Sequence, residues 1–443
     1  MNIYALSSGR GPSGIAIVRI SGKGSLQVCK NLTQLKEIKS NEINFCKFYD
    51  PKTVNVIDPE ALLLWFPGPN SYTGEDLAEF QVHGSNAVIN ALLNALSEQE
   101  NCRLAEPGEF TKVAFQNNKI DLVEAESIGD LIHSETELQR QQAVKLVQGN
   151  ASSHYNDLRE KLIKSLAYIE AKIDFAEDDL PKSVLKEVQK SIKEVHSDIK
   201  NILEDNKVGE KIRDGFRVSI VGDVNAGKSS LLNLLSKREA AIVSEEKGTT
   251  RDIIEIHLNV DGYPVILADT AGIRDSRNEI EKKGISLAIK KAKESDLSLV
   301  MIDNSSKKID PKIVNLINED CIVVLNKSDV DSNQNYNFSG NEVVLVSVKY
   351  NKNIMQLTKK IKEKLSKKFI SSKNVLVTRE RHRNKLDACL KEIDNFLKKD
   401  QNKDIEMAAE DLRLATRHLG AIVGKVDVEE ILDSIFKDFC IGK

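Results

Sequence analysis

Four patterns of apolar spacing follow one another along the chain. Up to about residue 117, short apolar runs alternate with glycine and proline turns. Residues 15–20 (IAIVRI), 61–66 (ALLLWF) and 77–82 (LAEFQV) predict strands, and residues 87–96, ahead of Pro107, predict a helix. Short runs bounded by turn formers predict an α+β arrangement. From about residue 119 to 209 the period changes. Leu158, Leu162, Leu166, Ile169 and Ile173 recur at spacings of three and four, as do Leu185, Val188, Ile192, Val195, Ile199 and Ile202, with Asp178-Asp179-Leu180-Pro181 between the two sets. Such stripes are most simply the core faces of a helix bundle. Residues 210 to about 370 alternate strand-like runs with helices, as a phosphate-binding α/β domain does. The chain then turns helical again, with Leu386, Leu390, Ile393 and Leu397, followed by Ile405, Ala408, Leu412, Ala415, Leu419 and Ile422. An α/β stretch between two helical stretches predicts insertion into one bundle, at a surface turn whose ends lie close together.

Two charges interrupt this pattern. Arg19 shares a strand face with Ile15 and Ile17, and Glu79 lies inside the third apolar run. A charge in a half-buried strand needs a partner or a ligand, unless it faces solvent at a sheet edge. The spacing alone leaves these alternatives open.

Composition narrows the class. At 443 residues the chain is long enough for two or three domains, and 40% apolar with 30% charged residues describes a soluble globular protein. No apolar run approaches the length of a membrane span, and the start MNIYA lacks the basic and apolar regions of an export signal. Six scattered cysteines without a C-x-x-C pair argue against zinc and disulfides and fit a reducing cytoplasm. A net charge of −3 gives no global case for nucleic-acid binding, so any such contact must be local. One local candidate is the stretch 358–403, with fifteen Lys or Arg against six acids; a solvated helix surface explains it equally well.

The chemistry centres on residues 222–229, GDVNAGKS, which satisfy G-x-x-x-x-G-K-[ST] at every fixed position. A strand-like run (218–221) precedes them and a helix-like run (230–235) follows. Glycines let backbone N–H groups turn inward onto phosphate oxygens, and the helix start adds partial positive charge. Lys228 would neutralise the outer phosphates, and the Ser229 hydroxyl would ligate Mg²⁺. Further elements follow in order. Residues 248–252 (GTTRD) offer a threonine hydroxyl to the metal. Asp269-Thr270-Ala271-Gly272 ends a strand-like run, placing a carboxylate near the metal's water shell and a glycine N–H near the γ-phosphate. Asn326-Lys327-Ser328-Asp329 ends another. The Asp329 carboxylate can accept from guanine N1–H and the 2-amino group, a donor pair that adenine lacks; leaving it unpaired costs about 1–3 kcal/mol. Ser347-Val348-Lys349 would close over the base. Four such elements in sequence predict a GTP site. Ile273 follows Gly272 where small signalling GTPases place a glutamine that orients the attacking water. An apolar side chain cannot do this, so another group must. A further charge must also replace the arginine finger, a device that contributes roughly 10³–10⁵ in rate.

Beyond this site, several stretches carry a resemblance: GIAIVRISG (14–22), PNSYTGED (69–76), EFQVHG (79–84), AEPGEFT (105–111) and the terminal FCIGK (439–443). With them the chain resembles, over its whole length, the MnmE/TrmE family of tRNA wobble-uridine-modifying GTPases. The resemblance implies a multidomain α/β plus α protein: a folate-binding and dimerising domain (1–117), a helical domain in two parts (118–209 and 371–443) and an inserted GTPase domain (210–370). It implies a cytoplasmic homodimer acting with a flavin-dependent partner of the MnmG/GidA family. Together they would add an aminomethyl or carboxymethylaminomethyl group to C5 of the wobble uridine of tRNA, the carbon coming from a 5-formyl- or methylene-tetrahydrofolate. Arg19, Glu79, Lys119 and the terminal Lys443 match the family's folate-contacting positions.

The family uses K⁺ in place of an arginine finger, with GTPase domains dimerising across their nucleotide faces. Asn225 matches its potassium-ligating asparagine. The loop of Ser244, Glu245, Glu246, Lys247, Gly248, Thr249 and Thr250 would complete the cage, with Ser244, Glu246 and Thr249 around K⁺ and Thr250 joining Ser229 on Mg²⁺. Ala226, Gly227 and Ser230 complete the phosphate contacts. Glu281 matches the glutamate that orients the attacking water, and Cys440 a proposed catalytic thiol. The residues alone also allow a turn cap at Asn225, a solvated helix position at Glu281 and an incidental cysteine at Cys440. Two rival readings remain at this level. An RNA-binding ribosome-assembly GTPase without modification chemistry explains the middle of the chain but neither the first third nor Cys440. A folate-binding scaffold with a vestigial GTPase conflicts with the intact Lys228, Ser229 and Asp269.

Overall fold

The computed structural model describes the chain except residues 10, 175–181, 224, 239–254, 269–291, 307–308, 310, 331–337, 339, 370–374, 401–403, 427–431, 433–434, 438 and 443. The described residues form two compact units. One comprises Met1–Gly129, Val147–Ile163 and Arg413–Lys443, the other Asp130–Leu146 and Lys164–Leu412. This division cuts across the arrangement expected from the resemblance, sharing each of the helical parts 118–209 and 371–443 between the two units.

The first unit is built on a six-stranded sheet of β1 (Asn2–Leu6), β2 (Ser13–Ser21), β3 (Ile43–Tyr49), β4 (Val56–Phe66), β5 (Leu77–Gly84) and β6 (Cys102–Leu104), in the order β3-β4-β5-β2-β1-β6. The three runs that read as strands are β2, β4 and β5. The helix read over 87–96 is Asn86–Ser97, capped by the Ser85 hydroxyl, which accepts from the Val88 N–H at 3.2 Å. Strands β1, β3 and β6 and the helices Ser25–Thr33 and Glu109–Gln116 gave no comparable signal. One sheet face carries Val18, Ile20, Leu63, Phe80 and Val82, packed with Val28 and Leu32 of one helix and Ile89, Leu92 and Leu96 of the other. The alternate residues, Arg19, Glu79 and Gln81 among them, point to the opposite face, as the two-residue strand period requires.

In the second unit β7 (Phe216–Gly222), β8 (Glu255–Val260), β9 (Tyr263–Ala268), β10 (Leu297–Asp303), β11 (Cys321–Asn326) and β12 (Glu342–Leu345) form a sheet in the order β12-β11-β10-β7-β9-β8. Every pairing is parallel except β8 with β9. Both faces are buried. Leu299, Met301, Ile322 and Val324 belong to one core, and Val300, Ile302, Val323 and Leu325 to the other. Chain order reverses at β7, which has β9 on one side and β10 on the other. This is the switch point at whose carboxyl end α/β sheets open a crevice.

The helical stripes read from the sequence are mostly buried, with departures. In helix Asn150–Asp174, Leu158, Leu162 and Ile169 are buried, but Ser165 takes the place read for Leu166, and Ile173 is only partly buried. In helix Lys182–Leu203 the buried line is Val188, Ile192, Val195 and Ile199. In helix Glu380–Lys398, however, it is Leu386, Cys389, Ile393 and Phe396, one residue off the leucine stripe 386/390/393/397. A cysteine and an aromatic fill the seam better than Leu390 and Leu397. These two helices pack together, and His196 Nε2 lies 3.1 Å from Asp394 Oδ1. The ends of the α/β stretch meet, as an insertion requires. Arg383 contacts Asp205, Glu210 and the Leu203 carbonyl, and a Cβ on Gly209 would stand 2.0 Å from the Val377 carbonyl oxygen. Among the described residues no helix is long and apolar enough to cross a membrane.

Candidate functional site

The phosphate-loop residues leave β7 at its buried carboxyl end. Two glycines make this exit sterically feasible. Gly222 has φ +153°, and a Cβ there would stand 2.0 Å from the Met301 carbonyl oxygen of β10. Gly227 has φ +98°, and a Cβ there would meet the Asn326 side-chain nitrogen at 2.3 Å. Asn225 also has positive φ, +62°, a conformation that asparagine tolerates better than most side chains. Helix Lys228–Arg238 starts directly behind the loop and turns its first N–H groups toward it. Lys228 Nζ bonds back to the Gly222 and Asp223 carbonyl oxygens at 3.0 and 2.7 Å, so the ammonium lies over the loop it would serve. Asn225, Ser229 and Ser230 are exposed, while Ala226 is buried.

Asn326 ties the parts together. It is 3% exposed; its amide nitrogen donates to the Ala226 carbonyl at 2.8 Å, and its amide oxygen accepts from the Val348 N–H at 3.1 Å. One side chain therefore joins the phosphate loop, the end of β11 and the 347–349 turn, three elements that the sequence reading treated separately. The Ser347 hydroxyl donates to Asp329 Oδ1 at 2.5 Å and, with the nearby Lys349 and Lys327 ammonium groups, holds the Asp329 carboxyl below the usual carboxylate range. Asp329 is therefore ionised at neutral pH, the state that can accept from guanine. Asn225, Ala226, Gly227, Lys228, Asn326, Lys327, Asp329, Ser347, Val348 and Lys349 thus gather at one end of the second sheet. Ser244, Glu245, Glu246, Lys247, Gly248, Thr249, Thr250, Asp269, Thr270, Ala271, Gly272 and Glu281 lie outside the described residues.

In the first unit Arg19 and Glu79 face each other across β2 and β5. The sheet-edge alternative therefore falls: both strands are interior, and each charge is the other's partner. Arg19 Nε and Nη2 donate to one Glu79 oxygen at 3.0 and 2.6 Å, with side chains 14% and 19% exposed. The guanidinium carbon lies 5.4 Å from the Tyr72 ring centre and 5.8 Å from that of Phe110. The Tyr72 hydroxyl is 2.8 Å from Thr111 Oγ1, and burial pushes its phenol upward. Tyr72 belongs to a loop held by three further bonds: Ser21 with Thr73 at 2.7 Å, Asn117 to the Thr73 carbonyl at 2.8 Å, and Lys119 Nζ to the Pro69 carbonyl at 3.0 Å. Arg19 and Lys119 thus both reach the PNSYTGED loop, and Glu79 joins them through Arg19. Tyr72, Thr73, Phe110 and Asn117 were missed as site residues; three of them sat inside motifs used only for resemblance.

The last residues of the chain dock in the same unit. Gly108 N–H donates to the Cys440 carbonyl at 3.4 Å, Ile441 bridges Pro107, and the Ser7 hydroxyl donates to the Gly442 carbonyl at 2.9 Å. Gly442 has φ +98°, and a Cβ there would stand 2.3 Å from the Leu6 carbonyl oxygen. Cys440 is exposed, whereas burial raises the thiols of Cys29, Cys389 and Cys46, the last to about 11. Lys443 lies outside the described residues. Four lysines of the basic stretch 358–403 are paired with acids: Lys360 with Glu342 and Glu363, Lys362 with Asp261, Lys368 with Asp320 and Lys399 with Asp411. Among the described residues no cluster of three His, Cys, Asp or Glu could hold a metal ion.

Known proteins match the whole chain. A family described as the MnmE helical domain matches residues 122–440, and one described as the GTP-binding protein TrmE N-terminus matches residues 2–119. The chain is 57% identical to a curated protein of Pelagibacter ubique over 100% of both chains. It is 44% identical to one of Rickettsia bellii and 42% identical to one of Parvibaculum lavamentivorans, each over 100% of this chain and 99% of the relative. All three are named tRNA modification GTPase MnmE. One solved structure, Aquifex aeolicus Era, 24% identical over 40% of this chain and 66% of its own, overlaps weakly, with a TM-score of 0.26. At 57% identity over its full length, the chain belongs to the MnmE/TrmE family of GTPases.

Proposed function

We propose that this GTPase hydrolyses GTP in a potassium-dependent reaction and, with a flavin-dependent partner of the MnmG/GidA kind, modifies C5 of the wobble uridine of tRNA. The observation that carries the nucleotide half is Asn326, which bonds the phosphate loop and the base-side turn at once. A site assembled before ligand arrives loses less freedom on binding. The backbone amides behind Gly227 and the Lys228 ammonium would receive the phosphates, and Asp329 the guanine. Hydroxyl and amide oxygens are the donors that Mg²⁺ and K⁺ take, and the exposed Ser229 and Asn225 supply them here. Ser229 with Thr250 would hold Mg²⁺, which neutralises phosphate charge when bound. Asn225 with Ser244, Glu246 and Thr249 would hold K⁺ in place of a finger arginine. Glu281 would orient the attacking water in a homodimer of GTPase domains.

The first unit, which contains the 1–117 domain, supplies the one-carbon site. Arg19 paired with Glu79 presents a donor–acceptor edge between two aromatic rings, which suits a flat heteroaromatic such as the pterin of a tetrahydrofolate. Lys119 and Lys443 would add positive charge for the glutamate tail, and Cys440 would provide a thiol at the docked end of the chain. The helical parts 118–209 and 371–443 would carry the inserted domain 210–370, all in the cytoplasm.

GTP turnover compared in K⁺ and Na⁺ tests the first half. Turnover should be much faster in K⁺, and Asn225→Ala should abolish the difference; equal rates in both salts would remove the potassium mechanism. Reconstitution with the flavoprotein, tRNA, a tetrahydrofolate, GTP and an amine, followed by nucleoside digestion, tests the second half. Unmodified wobble uridine would end that reading.

A further inference from the structure

Strand β10 ends on Asp303, which lies beside Asn326 in the parallel register with β11. Its carboxylate is held on two sides. One oxygen accepts from the Ser305 backbone N–H at 2.9 Å and the Ser305 hydroxyl at 2.6 Å. The other accepts from Lys327 Nζ at 2.5 Å. The neighbouring Asn304 N–H donates to the Asn326 carbonyl at 2.9 Å, fixing the end of β10 against the end of β11. Lys327 has φ +64°, a left-handed conformation that turns the chain sharply where β11 ends. With the two side chains 19% and 39% exposed, such a pair contributes little to folding. It does remove rotamer freedom from a long lysine. None of the four nucleotide motifs contains Asp303.

We propose that Asp303 is a positioning residue for guanine-nucleotide binding: by holding the Lys327 ammonium, it fixes the lysine stem at the base site beside Asp329. The proposal rests on the reading that residues 326–329 receive guanine. The ordering would then be complete before nucleotide arrives and would act equally on GTP and GDP. Burial pushes the Asp303 carboxyl up, but the bonds from Lys327 and Ser305 outweigh it and hold the group below the usual carboxylate range, so the restraint persists at neutral pH.

Binding of a fluorescent GDP and steady-state GTP turnover, measured with melting temperature, test it in Asp303→Asn, Asp303→Glu, Lys327→Met and the Asn/Met double variant. Asp303→Asn should weaken GDP about five- to tenfold and raise KM by a similar factor, with kcat changed less than about twofold. Asp303→Glu, which keeps the charge, should stay within about threefold of the parent. The double variant should bind GDP no more than about twofold worse than Lys327→Met alone, because both changes remove one interaction. Unchanged or tighter GDP binding in Asp303→Asn, alongside a weakened Lys327→Met, would overturn the proposal, as would a loss of melting temperature alone. If Lys327→Met itself bound GDP normally, the guanine reading beneath the proposal would fall first.

Discussion

In β10 and β11 all positions but the terminal Asp303 are buried, whereas β2 and β4 alternate buried with partly or fully open residues. The parallel sheet is covered on both faces by extensive apolar cores; the mainly antiparallel sheet has such a core on one face, its other face carrying only the small cluster of Ile3, Ala5, Ala105 and Phe110. This difference decides where each sheet can carry chemistry. A doubly covered strand leaves a polar group inside it to be satisfied within the sheet, as Ser219 and Ser298 satisfy each other at 3.0 Å, so the groups open to a ligand appear where strands end: Gly222, Asp303 and Asn326 are all terminal residues of their strands. A face covered only by a loop and a short helix can hold a paired charge in mid-strand, and Arg19 with Glu79 does so beside Tyr72 and Phe110.

The comparison is most easily broken at Gly222. Gly222→Ala should abolish measurable nucleotide binding and lower the melting temperature of the full chain, because the new Cβ meets a β10 carbonyl that β7 cannot move away from. Retained GDP binding would show that the strand ends are not rigidly seated. Next in size is a pair of substitutions read by chemical denaturation. Val300→Asp, inside β10, should cost more than about 4 kcal/mol, while Ile15→Thr, on the open face of β2, should cost less than about 0.5 kcal/mol. Similar losses at both would mean that the faces do not differ as described.

A smaller effect belongs to the Arg19–Glu79 pair. Arg19→Met alone should destabilise by about 2–3 kcal/mol by leaving a largely buried carboxylate unpaired, and adding Glu79→Gln should recover most of that. Additive losses would instead mean that the two charges do not act as a pair. The smallest effect is a pH dependence. Burial pushes the Glu109 carboxyl up, but the Arg103 guanidinium and the Glu106 N–H outweigh it, so its folded value lies below its unfolded one. This contribution is present above the ordinary glutamate value of about 4.3 and is lost as pH falls toward the lower folded value. Melting temperature of Glu109→Gln should therefore approach that of the parent below about pH 4; a constant gap between the two would remove the assignment.

Legibility followed the same division. Runs such as 218–221 and 322–325 were visible because double burial makes a strand apolar throughout, and the nucleotide motifs stood out as polar residues ending such runs. In the first unit only the central strands showed. Strand β3, with Ile43 and Phe45 exposed at the sheet edge, and the three-residue β6 lack a pattern that a single sequence could reveal. The stripe in helix Glu380–Lys398 was off by one residue because the seam there takes Cys389 and Phe396, chosen by the facing helix rather than by leucine content.

Local rules were enough for the phosphate loop, the order of the nucleotide elements, the helical stripes and the placement of an α/β stretch between them. Each depends on residues close in sequence, whose spacing and backbone preferences act at short range. The partnership of Arg19 with Glu79, the bridge through Asn326, the hold of Asp303 on Lys327 and the docking of residues 440–442 join positions far apart in the chain. Those contacts follow from strand order and register, which are set only when the sheets close and long-range burial selects one pairing among many.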